Sequence, residues 1–171
     1  MKRGIALGFL LVFLTGCSRP VWEMVNDVPE GVVNASSTDA GYQIETSLPQ
    51  DMEILAQTDE WCIYTNVDGS LEVETRTFPA SNIDLAVKVL SGYDAEQLNV
   101  LQTERFDLPE YQFAWVSQTE CGQWLHRADL VIDGTDCYAV VCSTLEQAGN
   151  TYADEVRQVF SAFGLYTDEG V

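Results

Sequence analysis

Four cysteines, one histidine, a scatter of carboxylates and four tryptophans are the residues of this chain on which chemistry could rest. The cysteines are Cys62, Cys121, Cys137 and Cys142, with a fifth, Cys17, set apart near the start. Four is an even count, which in an oxidising compartment makes them candidate disulfide partners. Cys137 and Cys142 cannot bridge each other if they share a strand. Their Cα atoms would then lie about 16 Å apart and point to opposite faces, whereas a disulfide needs less than about 7 Å. Each must pair with Cys62 or Cys121, or remain free as a small buried hydrophobe. No C-x-x-C is present, and the cysteines together with His126 lack zinc-ligand spacing, so neither thiol exchange nor a metal is expected from them.

His126 is the only histidine. If Thr119-Glu120-Cys121-Gly122 is a turn, His126 faces Trp115 across the hairpin, a packing pair rather than a catalyst. Serine chemistry would need a nucleophile beside it, and no G-x-S-x-G elbow supplies one. The carboxylates Asp51, Glu53, Asp59 and Glu60 cluster near the first turns but do not form a calcium loop. Asp68 and Asp133 precede glycines, where the turn itself explains them. Of Trp22, Trp61, Trp115 and Trp124, Trp61 and Trp124 are the candidates for an exposed aromatic surface that meets a partner. No catalytic residue, metal or cofactor is assigned.

The elements that must position these residues are legible in the periodicity. Tyr42–Leu48, Glu53–Gln57, Trp61–Val67 and Ser70–Phe78 read as strands, the last two joined by Asp68-Gly69, a pair that suits a hairpin turn. Leu71, Val73, Thr75 and Thr77 share one face; Glu72, Glu74, Arg76 and Phe78 share the other. Ser81 with Asp84 resembles a helix start, Ile83, Ala86, Val87 and Leu90 repeat at helical spacing, and Gly92 is the stop. A short helical turn at Asp94–Leu98 precedes strands at Asn99–Phe106, Tyr111–Gln118, Gln123–Ile132 and Cys137–Ser143. The last two close through Asp133-Gly134. Tyr111, Phe113 and Trp115 alternate onto a core face. Tyr152, Val156, Val159, Phe160 and Phe163 form the stripe of a final helix, capped by Thr151 with Asp154 and stopped by Gly164. Strands, a helix, a four-strand meander and a packing helix imply an α+β domain, a twisted antiparallel sheet flanked by helices.

Ahead of the domain, Lys2 and Arg3 followed by eleven apolar or small residues, Gly4–Leu14, have the form of an export signal. Eleven residues fall short of the roughly 20 needed to span a bilayer. Leu14-Thr15-Gly16-Cys17 resembles the bacterial lipobox. The resemblance implies cleavage before Cys17 and diacylglycerol on its thiol, with two acyl chains for firm attachment. Residues 1–16 are then the signal peptide, 17–40 a lipidated tether reaching on the order of 25 Å, 41–166 a single α+β domain and 167–171 a tail.

The net charge is −19, and removal of Lys2 and Arg3 leaves 6 basic against 27 acidic residues, −21. Such a surface repels phosphate and anionic headgroups, which argues against nucleic-acid binding and against direct docking on the bilayer. The run WVSQTECGQWLHRADLVIDGTDCYAVVCST, followed by ADEVRQVFSAF, resembles the PsbP-like fold, an αβα sandwich found in an extrinsic photosystem protein, a nuclear-import factor and small bacterial lipoproteins. The opening Trp22-Glu23-Met24-Val25 resembles lipoproteins of anaerobic gut bacteria. The resemblance implies a non-catalytic protein-binding or assembly module on the outer face of the cytoplasmic membrane, with another envelope protein as partner. It assigns no functional residue. The alternatives are a small-ligand or cation-binding sensor and an enzyme of unrecognised type.

Overall fold

The computed structural model describes residues 41–166; the expected leader, Cys17, the tether and the tail lie outside the described residues. Among the described residues, nine strands and two helices follow in the order β1 (Gln43–Glu45), β2 (Glu53–Gln57), β3 (Trp61–Thr65), β4 (Leu71–Pro79), α1 (Ile83–Ser91), β5 (Leu101–Arg105), β6 (Leu108–Thr119), β7 (Gly122–Asp133), β8 (Asp136–Leu145), α2 (Ala153–Ser161) and β9 (Gly164–Tyr166). A short 3-10 turn, Ala95–Gln97, stands where a helical turn was expected.

Seven strands form one antiparallel sheet in the order β2-β3-β4-β8-β7-β6-β5. The meander β5 to β8 folds as read from the sequence, and β4 joins it by pairing with β8, Leu71 opposite Thr144 through Pro79 opposite Asp136. Central strands must bury both faces, and their composition shows it. Ala128 to Ile132 on β7 and Cys137 to Ser143 on β8 are buried throughout. One face carries Phe78, Phe113, Trp115, Ala128, Leu130, Ile132 and Ala139 under Ala86 and Val87 of α1. The opposite face carries Leu71, Val73, Val131, Tyr138 and Val140 under Val156, Val159 and Phe163 at α2. Helices on both sides of one antiparallel sheet give the αβα layering.

The helix ends differ from expectation in informative ways. Asn82, not Ser81, caps α1: its Oδ1 accepts from Leu85 N at 3.0 Å. The backbone N–H of Ala80 is tied to Thr135 O at 2.8 Å, so the chain turns into the helix one residue later than Ser81. Gly92 closes the helix at φ 76°, a left-handed position that suits glycine. Helix α2 has no side-chain cap; Tyr152 holds the cap position and its hydroxyl is engaged by Ser70 at 2.8 Å and Asn66 at 3.0 Å. Acidic Asp154 and Glu155 in the first turn complement the helix dipole instead. Gly164 does not stop this helix but opens β9, which pairs with β1 (Gln43 opposite Tyr166) over the α2 face.

Candidate functional site

Helix α2 and the β1–β9 pair cover the β4, β8 and inner β7 part of their face, and the β5–β6 end of that face is left open. Strand register decides which side chains stand there. Thr103 is opposite Glu110, Leu101 opposite Gln112, and Gln112 opposite Asp129, while Ala114 pairs with Arg127. These residues alternate with Tyr111, Phe113 and Trp115 on β6, which point to the α1 side.

Arg105 organises the polar part. Its Nε donates to Glu110 Oε1 at 2.5 Å, Nη2 to Asp129 Oδ2 at 3.3 Å, and Nη1 to the Phe163 carbonyl at 2.9 Å. Its guanidinium also lies 5.3 Å from the Phe163 ring centre. One side chain thus ties edge strand β5 to two inner strands and to the end of α2. Glu110 accepts a second hydrogen bond from Thr103, and Gln112 Nε2 donates to Asp129 Oδ2 at 3.1 Å.

The two acids sit in different electrostatic positions. Burial opposes charge on Glu110, but the hydrogen bonds from Thr103 and Arg105 outweigh it and hold its carboxyl below the ordinary value. Asp129 is 1% exposed. Burial, then the charge of Glu110, push it up to about 7, against the opposing pull of Arg105. Among the described residues its Oδ1 meets no hydrogen-bond donor. A proton on Asp129, donated to Glu110, satisfies both acids, so the pair shares one proton around neutrality.

Beside this cluster runs an open groove of about 780 Å³, lined by the Leu98–Leu101 segment, Gln112, Ala114, Arg127, Asp129 and Phe160 among others. That volume lies within the roughly 300–1,000 Å³ usual for ligand sites. Leu101 is 64% exposed at its rim.

The residues singled out in the sequence fall elsewhere. His126 lies buried on the α1 face, stacked on Trp115 with ring centres 4.9 Å apart, as the hairpin register implied. Its Nε2 is 2.7 Å from Ser117 Oγ and its Nδ1 2.7 Å from Ser143 Oγ. A serine–histidine contact therefore exists, yet Ser143 takes the place where a triad has a carboxylate, and His126 is 2% exposed.

The possible disulfides do not form among the described residues: Cys62, Cys137 and Cys142 are free thiols. The topology explains it. Cys137 and Cys142 face opposite layers. Cys62 lies two strands from β8, with Thr75 and Val140 in its row, about 10 Å at ordinary strand spacing. Cys121 is in the β6–β7 turn at the far end of the sheet. Burial pushes the Cys142 thiol up to about 12 and raises that of Cys137 further, which keeps both protonated.

Trp124 is 3% exposed and belongs to the core, so the aromatic surface expected of it is not formed; its side chain points inward beside Ser117 of the paired strand. Trp61 is half-buried on β3. Asp51, Glu53, Asp59 and Glu60 are exposed, and no group of three metal-binding side chains occurs among the described residues. No described helix is long and apolar enough to cross a membrane.

No protein-family model and no curated protein matches the chain in sequence. Solved structures do match in shape. CyanoP, the cyanobacterial PsbP of Synechocystis sp. PCC 6803, aligns at TM-score 0.51 and 13% identity over 81% of this chain and 99% of its own. LpqN of Mycobacterium tuberculosis, a protein involved in cell envelope biogenesis, aligns at 0.51 and 12% over 75% of this chain and 87% of its own. A protein of Bacteroides thetaiotaomicron VPI-5482 aligns at 0.51 and 8% over 74% of this chain; the chain spans 46% of that longer protein. The fold is PsbP-like.

Proposed function

We propose that this chain is an envelope lipoprotein, acylated at Cys17, whose domain serves as a non-catalytic binding or assembly module outside the cytoplasmic membrane. The observation that carries the reading is the groove over β5–β7, an open recess with apolar walls, the exposed guanidinium of Arg127 and the buried carboxyl of Asp129. Its lining offers no serine, cysteine or histidine nucleophile, which supports a binding role. The leader and Leu14-Thr15-Gly16-Cys17 support the location, and the likeness to an envelope-biogenesis protein fits it. The acidic surface, held off the bilayer by a tether, leaves the domain free to meet a second envelope protein.

The test is co-purification from solubilised membranes with wild type and Leu101→Glu, a surface change in the groove. The same envelope protein retained by wild type and lost by the variant is the expected result. No envelope protein retained by wild type under any growth condition contradicts it. The groove also favours a second reading, a small-ligand sensor.

A further inference from the structure

Two charged or titratable groups on the groove, Arg127 and Asp129, have room for a further partner. Of the described cations, Arg76, Lys88, Arg105 and Arg157 each stand in an ion pair. Arg127, exposed on the groove wall, stands in none among the described residues. Asp129 is the complementary case, a buried carboxyl whose Oδ1 has no donor from another residue and relies on the proton shared with Glu110. The two residues are i and i+2 on β7, on the same face, so their backbones are about 7 Å apart. Leu101, Ala114 and Phe160 supply apolar wall around them.

We propose that the groove binds an α-amino acid with an apolar side chain, its carboxylate on Arg127, its ammonium on Asp129 Oδ1 and its side chain against Leu101 and Phe160. An amino acid carries both charges on one carbon, and with a hydrogen bond of about 2.8 Å at each end it spans the interval between the two side chains. A simple anion would make no use of Asp129, and the −19 chain would repel it; a simple amine would leave Arg127 without a counter-ion. A zwitterion is neutral and answers both groups. Gln112, which holds Oδ2 and lines the groove, is the side chain that turns to admit the ammonium. Arg105 from β5 and Glu110 from β6 are the charged groups facing Asp129; Val140 of β8, Phe160 of α2 and Phe163 just after it bring no charge. The ammonium takes the place of the shared proton, so binding on the acid side of neutrality releases it.

This inference rests on reading the groove as a binding site. Its test is titration calorimetry of the full chain in lipid nanodiscs at pH 6, in two buffers of different ionisation heat. L-leucine and L-phenylalanine are the probes, with 4-methylpentanoate and 3-methylbutylamine as single-charge controls. At least one amino acid is expected to bind with a Kd below about 1 mM. The controls and Arg127→Gln should bind at least about tenfold more weakly. Wild type should release close to one proton on binding, and Asp129→Asn should release none. Arg127 is exposed, so its variant keeps the test valid even if Asp129→Asn folds poorly. No binding of either amino acid at about 10 mM, a single-charge control that binds equally well, or affinity unchanged in Arg127→Gln overturns the proposal. If the amino acids fail while Leu101→Glu still loses a protein partner, the binding module stands and this ligand falls.

Discussion

Asp129 is the residue on which the electrostatics of the domain turn. Unfolded, it ionises near its ordinary 3.8; folded, near about 7. Between those values the unfolded chain has released a proton that the folded chain still holds. The contribution of this residue to stability is therefore fully present below pH 4, falls as pH rises to about 7, and is level beyond. Glu110 acts in the opposite sense: its lowered value favours the fold above its ordinary 4.5 and loses that effect on acidification. Asp129→Asn keeps a donor for Glu110 without a charge. It should stabilise the domain at pH 8 by on the order of 1–3 kcal/mol and leave it unchanged near pH 3.5, measured by urea unfolding at the two pH values. The cluster went unread in the sequence because its members are spread over residues 103–129 on three strands. A signal was present: Asp129 interrupts the apolar run from Ala128 to Ile132, and a carboxylate there must be paired. His126 was easier, since one hairpin register places it on Trp115. Replacing it with Phe leaves the Ser143 hydroxyl, itself buried, without its ring-nitrogen partner, and should cost about 1–3 kcal/mol in the same assay.

Elements defined by local signals were the most legible. Both Asp-Gly turns form hairpins, with Gly69 at φ 68° and Gly134 at φ 61°. The helical spacing of Ile83 to Leu90 and of Val156 to Phe160 located both helices. What local signals cannot carry is pairing between distant strands. β1 and β9 are three residues each and reach each other across more than a hundred positions, so their pattern is too short to read. The same limit hid the β4–β8 pairing that joins the halves of the sheet. Helix starts depend on one residue, and here the geometry gives a sharp contrast. Asn82→Ala should destabilise the domain by about 1 kcal/mol through loss of the cap. Ser81→Ala, exposed and one position early, should change stability by less than about 0.5 kcal/mol in thermal unfolding. Gly69→Ala has open space for the new methyl but keeps the left-handed backbone, so it should cost about 1 kcal/mol.

At the scale of the whole molecule, composition set the class and the layering followed from it. Strands buried on both faces require a cover on each, and the chain supplies α1 before the meander and α2 after it. The second cover stops short of β5 and β6, and that uneven closure leaves the groove. Nothing in the sequence marks this gap, because it depends on where α2 ends over the sheet rather than on any motif. Location rests on the leader. In the organism that makes this chain, intact-mass and peptide mass spectrometry of the mature N-terminus tests that premise most directly. The expected result is a chain beginning at Cys17 with diacylglycerol on its sulfur. An intact Met1, or an unmodified thiol at Cys17, contradicts it.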